Sequence, residues 1–390
     1  MRTSSRAPEV LVVTEYFVPG IRGGGTVTAV VNAIEQLKSS FTFDVLTSDR
    51  DLGASAPYPN VTRGAWCETA FGKVYRVTPA QRQPVALFNV LRDVPFDLVY
   101  LNSFFAPLTF HVLVLRRFGF LRNTPVILAP RGELAASALR VRRLKKWVYE
   151  KVTRLRLLEN VIWQASSDHE ARDITDFFER HHGRTVRCVV TGEVPGPPAD
   201  LPEGSRRPKR VGQVRAIFIG RVHRIKNLDA AIRLLGSTAG DIELTVVGPV
   251  EDAEYWQECQ QLIAVLPSGK TVRWVGVVPR TEVGPMLIEA DLMILPTRGE
   301  NFGHAILEAL MAGCPVLTSD QTPWRGLASR GIGWDVPIDD VEAAQAALSS
   351  MMAMGPEAHE AMRKRAKAFA RTAVPNAARL HEDLFRLALR

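Results

Sequence analysis

Short apolar runs of strand length alternate with helix-spaced apolar stripes along most of the chain. Val10–Thr14 is the first run, and from Thr26 the residues Val27, Val30, Val31 and Ile34 recur at the spacing of a helix face. Strand-length runs follow at Phe43–Thr47, Lys73–Val77, Asp97–Leu101, Pro125–Ala129, Val161–Gln164 and Arg187–Val190, with helical segments between them. Such alternation predicts a parallel sheet covered by helices. Periodicity is lost from Gly192 to Arg210, a stretch rich in Pro, Gly and charge that reads as a linker. It resumes with strands at Ala216–Gly220, Glu243–Val247, Thr271–Val275 and Asp291–Leu295, and with helices at Val341–Met354 and Pro356–Arg371. The expectation is an α/β fold of two doubly wound domains, 1–191 and 213–372, joined by a linker at 192–212. Residues 373–390 form a last helix with an apolar stripe of Leu380, Leu384 and Leu387.

Length agrees with two domains, since 390 residues exceed what one core usually serves. Hydrophobic content of 46% and charged content of 23% are those of a globular protein. Cys67, Cys188, Cys259 and Cys314 lie far apart, which predicts neither disulfide nor zinc site. The N-terminus runs straight into a strand, so no signal peptide is expected, and the most apolar long stretch, Leu98–Leu115, is too polar to span a bilayer. Net charge is +8 and is concentrated. Residues 140–156 hold eight Lys/Arg against one Glu, and Leu144, Trp147, Val148, Val152 and Leu155 fall on one helical face. Arg142, Arg143, Lys145 and Lys146 therefore suit an anionic membrane surface, the alternative being a packed helix with a solvated basic face. Nucleic acid is disfavoured, because no interleaved aromatic platform accompanies the charge.

Candidate chemistry centres on Leu295–Ser319. Pro296 closes a strand, a loop holding Glu300 follows, a helix begins at His304 and stops at Gly313, and Pro315–Thr318 starts the next strand. In an open parallel sheet, loops at the carboxyl ends of strands hold ligands. Glu308 lies four residues after His304 on the same helix face, where a carboxylate can accept from hydroxyls. The backbone of Asn301, Phe302, Gly303 and His304 at a helix start favours an anion. Arg221 and Lys226 leave another strand end together and suit a diphosphate, with Asn227 capping the next helix. Gly23, Gly24 and Gly25 precede the first helix and would let a phosphate approach backbone. Asp49 is compatible with a dinucleotide site, a minority reading, and the Asp49/Asp51 pair reads as solvated loop acids rather than a metal site.

Glu300, Phe302, Gly303, Glu308, Ala309, Gly313, Pro315 and Val316 agree, over seventeen residues, with the E-x7-E signature. On these residues, and on Gly220-Arg221-x4-Lys226-Asn227, the chain resembles the retaining family 4 (group 1) glycosyltransferases of GT-B fold, most of all bacterial surface-polysaccharide types. The resemblance implies two Rossmann-like domains with a cleft between them and a terminal helix packed back on the first. It implies transfer of a hexosyl or N-acetylhexosaminyl group from a nucleoside-diphosphate sugar, UDP favoured and GDP-mannose next, to a lipid-linked oligosaccharide. No metal or other cofactor is implied, and the place is the cytoplasmic face of the membrane. Glu300 would hold sugar hydroxyls and Glu308 the ribose, with Arg221 and Lys226 on the departing diphosphate. Gly248, Val275 and Gly276 would line the base, and Gly23–Gly25 and Asn102 the donor. Arg131, Gly132 and Glu133, in Pro130-Arg-Gly-Glu-Leu134, would face the acceptor, the alternative for Arg131 being an ion pair with Glu133 or Glu150. Many relatives place a histidine near Asn102-Ser103, and this chain has none there. A nucleotide-sugar epimerase of the same fold and a non-catalytic partner subunit are the alternatives.

Overall fold

A computed structural model describes residues 6–20, 22–121, 123–139, 157–183, 185–196, 206–373 and 376–390. Two compact units divide the chain, Met1–Val194 with Asn376–Arg390, and Pro195–Pro375. Among the described residues no helix is long and apolar enough to cross a membrane.

The first unit contains β1 (Glu9–Val13), α1 (Gly25–Leu37), β2 (Thr42–Ser48), β3 (Trp66–Thr69), β4 (Gly72–Val77), α2 (Pro84–Leu91) and β5 (Leu98–Asn102). It continues through α3 (Pro107–Arg117), β6 (Val126–Ala129), the short α4 (Ala136–Leu139), β7 (Val161–Ala165), α5 (Asp168–His182) and β8 (Cys188–Val190). The sheet order is β3-β4-β2-β1-β5-β6-β7-β8. Val10–Val13 are all buried, as a central parallel strand covered on both faces requires. One edge departs from the parallel expectation: β3 pairs antiparallel with β4. Gly72 makes that hairpin possible, since it sits at φ 92° and a Cβ there would lie 1.9 Å from the Phe43 carbonyl oxygen.

The second unit contains β9 (Gln213–Ile219), α6 (Leu228–Ser237), β10 (Asp241–Val247), α7 (Ala253–Ala264), β11 (Lys270–Gly276) and α8 (Arg280–Glu289). It ends with β12 (Leu292–Leu295), α9 (His304–Met311), β13 (Val316–Ser319), β14 (Gly333–Val336), α10 (Val341–Ala353) and α11 (Pro356–Ala373). All six strands are parallel, in the order β11-β10-β9-β12-β13-β14. From β9 the chain winds to one side, and from β12 to the other. The reversal between β9 and β12 is the place where an open sheet leaves a crevice beyond its strand ends.

Helix α12 (Ala377–Ala388) belongs to the first unit. It buries Ala377, His381, Leu384 and Phe385, and Phe385 meets Phe41 at 5.4 Å and Tyr100 at 5.2 Å between ring centroids. The buried stripe is therefore turned from the expected one: Leu384 is inside, whereas Leu380 and Leu387 are 43% and 38% exposed. The segment read as a linker is also shorter than its composition suggests. Glu193 and Val194 are buried with the first unit, and Lys209 is buried in the second.

Candidate functional site

Two loops flank the reversal, residues 220–227 after β9 and 296–303 after β12, and hydrogen bonds stitch them together. The Arg298 N–H donates to the Ile225 carbonyl at 2.7 Å, and the Thr297 hydroxyl to the same oxygen at 3.0 Å. Asn227 stands at the N-cap of α6 in the left-handed region (φ 61°), but its side chain caps nothing. Instead its amide donates to the Pro296 carbonyl at 2.9 Å and accepts from Arg298 at 3.1 Å. The expected helix cap is thus a brace between loops, a role that a cap-like residue type hides.

Lys226 donates from Nζ to Glu300 Oε1, with side chains only 17% and 12% exposed. The two groups singled out from separate motifs are one ion pair. Glu300 is also fixed by its own N–H, which donates to the Gln321 carbonyl at 3.1 Å. Arg221 is not paired with this couple; its guanidinium donates to Glu251 from the loop after β10. Arg224, between them in sequence, forks onto Glu258 of α7.

Gly303 starts α9 at φ 83°, with no side chain capping the helix. A Cβ on Gly303 would lie 3.1 Å from the Trp324 indole nitrogen, and that nitrogen donates to the Phe302 carbonyl at 2.5 Å. Phe302 is buried, stacked edge-on between His304 and Trp324 at centroid distances of 5.1 and 5.5 Å. Trp324 thus clamps the turn, leaving the amino end of α9 as a backbone surface suited to an anion. Asn301 and His304 are half-buried beside it. Glu308, one turn on, is half-buried; burial pushes its carboxyl above the usual range, and the Arg280 charge pulls it back.

At the ends of β9, β10 and β11 stand Gly220, Gly248 and Gly276. A Cβ on Gly248 would be 2.1 Å from the Gly220 oxygen, and its φ of 138° is one that side chains avoid. The Gly248 N–H donates to the Gly276 carbonyl at 2.7 Å, and its carbonyl accepts from the Trp274 indole at 2.9 Å. Gly248 has therefore spent its N–H, and its oxygen already has a donor. Gly276 stands in the left-handed region (φ 72°), beside half-buried Val275.

In the first unit, the glycine turn behaves as read up to a point. Gly24 (φ 59°) is the N-cap of α1 without a side-chain cap, while Gly23 is packed so that a Cβ would meet Val27 at 2.6 Å; Gly25 is the first helical residue. The acceptor-side calls change. Arg131 is buried, donating from Nη1 to Glu193 at 2.6 and 2.8 Å, from Nη2 to the Tyr100 hydroxyl at 2.7 Å, and from Nε and Nη2 to Asn102 Oδ1 at 3.2 and 2.7 Å. Its carboxylate partner among the described residues is Glu193 rather than Glu133, Glu150 lying outside those residues, and the guanidinium serves as an internal strut. Asn102, expected on the donor side, is fully buried and accepts from that strut. Glu133 accepts from the Phe105 N–H at 2.9 Å, and the Gly132 N–H donates to buried Glu170 at 2.5 Å. Asp49 pairs with Arg50 at 2.8 Å, and Asp51 accepts from the Arg22 and Leu52 N–H groups, so both acids have structural duties. Arg142, Arg143, Lys145 and Lys146 lie outside the described residues.

Residues 205–369 match the family model described as glycosyl transferases group 1. Among curated proteins, glycogen synthase of Mycobacterium tuberculosis is 32% identical over 125 residues, covering 31% of this chain and 29% of that one. The amylovoran biosynthesis glycosyltransferase AmsK of Erwinia amylovora is 29% identical over 148 residues, covering 35% of each chain. The matches thus span about a third of the curated relatives or less. Sucrose-phosphate synthase from Thermosynechococcus elongatus is similar in fold along nearly the whole length, with a TM-score of 0.73, 16% identity and coverage of 97% of this chain and 98% of that one.

Proposed function

We propose that this chain, whose residues 205–369 belong to the group 1 glycosyl transferases, is a retaining, metal-independent glycosyltransferase using a nucleoside-diphosphate sugar. The observation that carries this reading is the Lys226–Glu300 pair, set between two stitched loops at the β9/β12 reversal, next to the uncapped start of α9. In this reading the bond between the anomeric carbon and the diphosphate breaks as an acceptor hydroxyl oxygen bonds to that carbon on the same face, the hydroxyl proton passing to the departing diphosphate oxygen. Negative charge grows on the leaving diphosphate, and Lys226, Arg221 and the N–H groups opening α9 are prearranged to meet it. Glu300, held in place by Lys226 and Gln321, accepts from sugar hydroxyls. Glu308, whose carboxylate has no hydrogen-bond donor among the described residues, accepts from the ribose hydroxyls.

The acceptor in this reading is a lipid-linked oligosaccharide of a bacterial surface polysaccharide, reached from the cytoplasmic face of the membrane. Two things support it: the basic composition of residues 140–156, and the name of the amylovoran relative. The test of the donor site is thermal stabilisation by UDP, GDP, ADP and NAD, each with excess chelator. A ligand of the native state raises the melting temperature once its concentration exceeds its dissociation constant. One nucleoside diphosphate should do so under chelation. Stabilisation by NAD alone, or only on restoring a divalent metal, would overturn the reading.

A further inference from the structure

Each cation in the loop after β9 already has an acid. Arg221 donates to Glu251, Arg224 to Glu258, and Lys226 to Glu300. The first of these pairs joins two laced loops, as the third does, but is more exposed than the third. Glu251 sits in the loop after β10, and the backbone of that loop is laced to Arg221's own. The Val222 N–H donates to the Pro249 carbonyl at 2.8 Å, and the Glu251 and Asp252 N–H groups both donate to the Val222 carbonyl at 3.2 Å. Val222 and Val250 form an isolated parallel bridge. Gly248 lies close enough to Gly220 that only a glycine fits. These contacts fix the Glu251 main chain beside Arg221, so the carboxylate reaches the guanidinium without ordering a long mobile loop. Both side chains remain about one-third exposed, at 33% and 34%, so an incoming anion can reach the pair from solvent.

The geometry points to Glu251 as a resident counter-ion that sets donor affinity: a diphosphate that engages Arg221 must displace the Glu251 carboxylate or bind against its charge. This inference rests on the proposed diphosphate site. A guanidinium carries five N–H donors and Glu251 engages it through Nη1, so a phosphate that joins Arg221 either displaces the carboxylate or shares the group with it. In both cases the carboxylate stays nearby and repels the phosphate. The consequence is a site tuned for release as well as capture of the diphosphate.

The experiment is calorimetric titration of inorganic pyrophosphate and of UDP, GDP and ADP into the full chain and four variants, with melting temperatures as a folding check. Glu251→Gln should tighten binding of the diphosphate at least threefold, the order expected when a partly exposed ion pair is removed. Arg221→Gln should weaken it, and in the Arg221→Gln background Glu251→Gln should change affinity less than twofold. Glu258→Gln removes the same charge from the neighbouring pair and should leave affinity within twofold of the starting protein. Unchanged or weaker binding by Glu251→Gln, or equal tightening by Glu258→Gln, would overturn the role of Glu251 while leaving the donor site standing. If the unaltered protein and every variant bind none of the four diphosphates, the proposed function itself fails.

Discussion

The Nε2 atom of His381 on α12 lies 2.7 Å from the side-chain amide nitrogen of Gln164 on β7. That amide also donates to the Thr191 hydroxyl at 2.9 Å, while Gln164 Oε1 accepts from the Tyr100 hydroxyl at 2.5 Å. An amide nitrogen can only donate, so His381 Nε2 is the acceptor, and Nδ1 carries the proton toward the Ala377 carbonyl at 2.9 Å. The ring is neutral in the fold. Burial holds its pKa down to about 4, with the Ala377 carbonyl and Glu193 pulling upward and Arg131 pushing down. A depressed folded value means that stability is full above the unfolded value near 6.5 and is lost as pH falls toward 4. Urea titrations between pH 7 and 4 should lose on the order of 3 kcal/mol through this group. A His381→Gln variant should show a shallower acid limb; an unchanged limb would mean that other groups govern it. His359, also held down to about 4 by burial, contributes to the acid limb in the same sense.

Arg131 tests whether the acceptor-side reading or the strut is right. Removing it takes the guanidinium partner from a buried carboxylate, a change that costs about 3–5 kcal/mol. Arg131→Ala should therefore lower the melting temperature sharply, and the double variant with Glu193→Ala should recover part of the loss. If Arg131→Ala melts like the parent and loses only acceptor affinity, the guanidinium contacts substrate after all.

Gly248→Ala forces a Cβ into the Gly220 carbonyl at a φ that alanine resists. Strained backbone of this kind costs about 1–3 kcal/mol before the clash is counted. The expected outcome is a destabilised second unit, read by hydrogen exchange in β9 and β10, with exchange in β1 and β5 unchanged. Parent-like protection in β9 would show that the strand ends relax freely.

Glu300 and Glu308 should separate on isosteric replacement. Glu300→Gln loses the charge that pairs with Lys226, and turnover should fall by at least two orders of magnitude with folding intact. Near-parental turnover would remove Glu300 from its role. Glu308→Gln should weaken binding of a nucleoside diphosphate several-fold yet leave inorganic pyrophosphate unaffected, because only the former carries ribose hydroxyls. Because burial raises the Glu308 carboxyl, nucleotide affinity should also start to fall at a higher pH than for an ordinary carboxylate, and that pH dependence should vanish in the variant.

The alternation of apolar runs made most of the two sheets legible, because a parallel strand buried on both faces must be a nearly unbroken hydrophobic run. The strands it missed are edges. Trp66–Thr69 and Gly333–Val336 have no such run, and each is held by a glycine fitted against its neighbour, Gly72 and Gly333. Lys226 and Glu300 were legible as separate motifs, but their contact required β9 and β12 to be neighbours. Long-range partners were hidden: nothing local to Pro130–Leu134 announces Glu193, sixty-two residues on. Arg131 looked like a surface clamp because arginine seldom goes inside, and it goes inside here only because a carboxylate waits for it. The turned stripe of α12 has the same cause, since His381 reads as polar until Gln164 is placed opposite it.

The position of α12 in the first unit makes that unit discontinuous in the chain, whereas the second is one unbroken stretch. The strands of the first unit leave the ribosome first, yet Phe41 and Tyr100 lack the ring that completes their core until Phe385 emerges after the whole second unit. The half that begins first must wait for the other to be made.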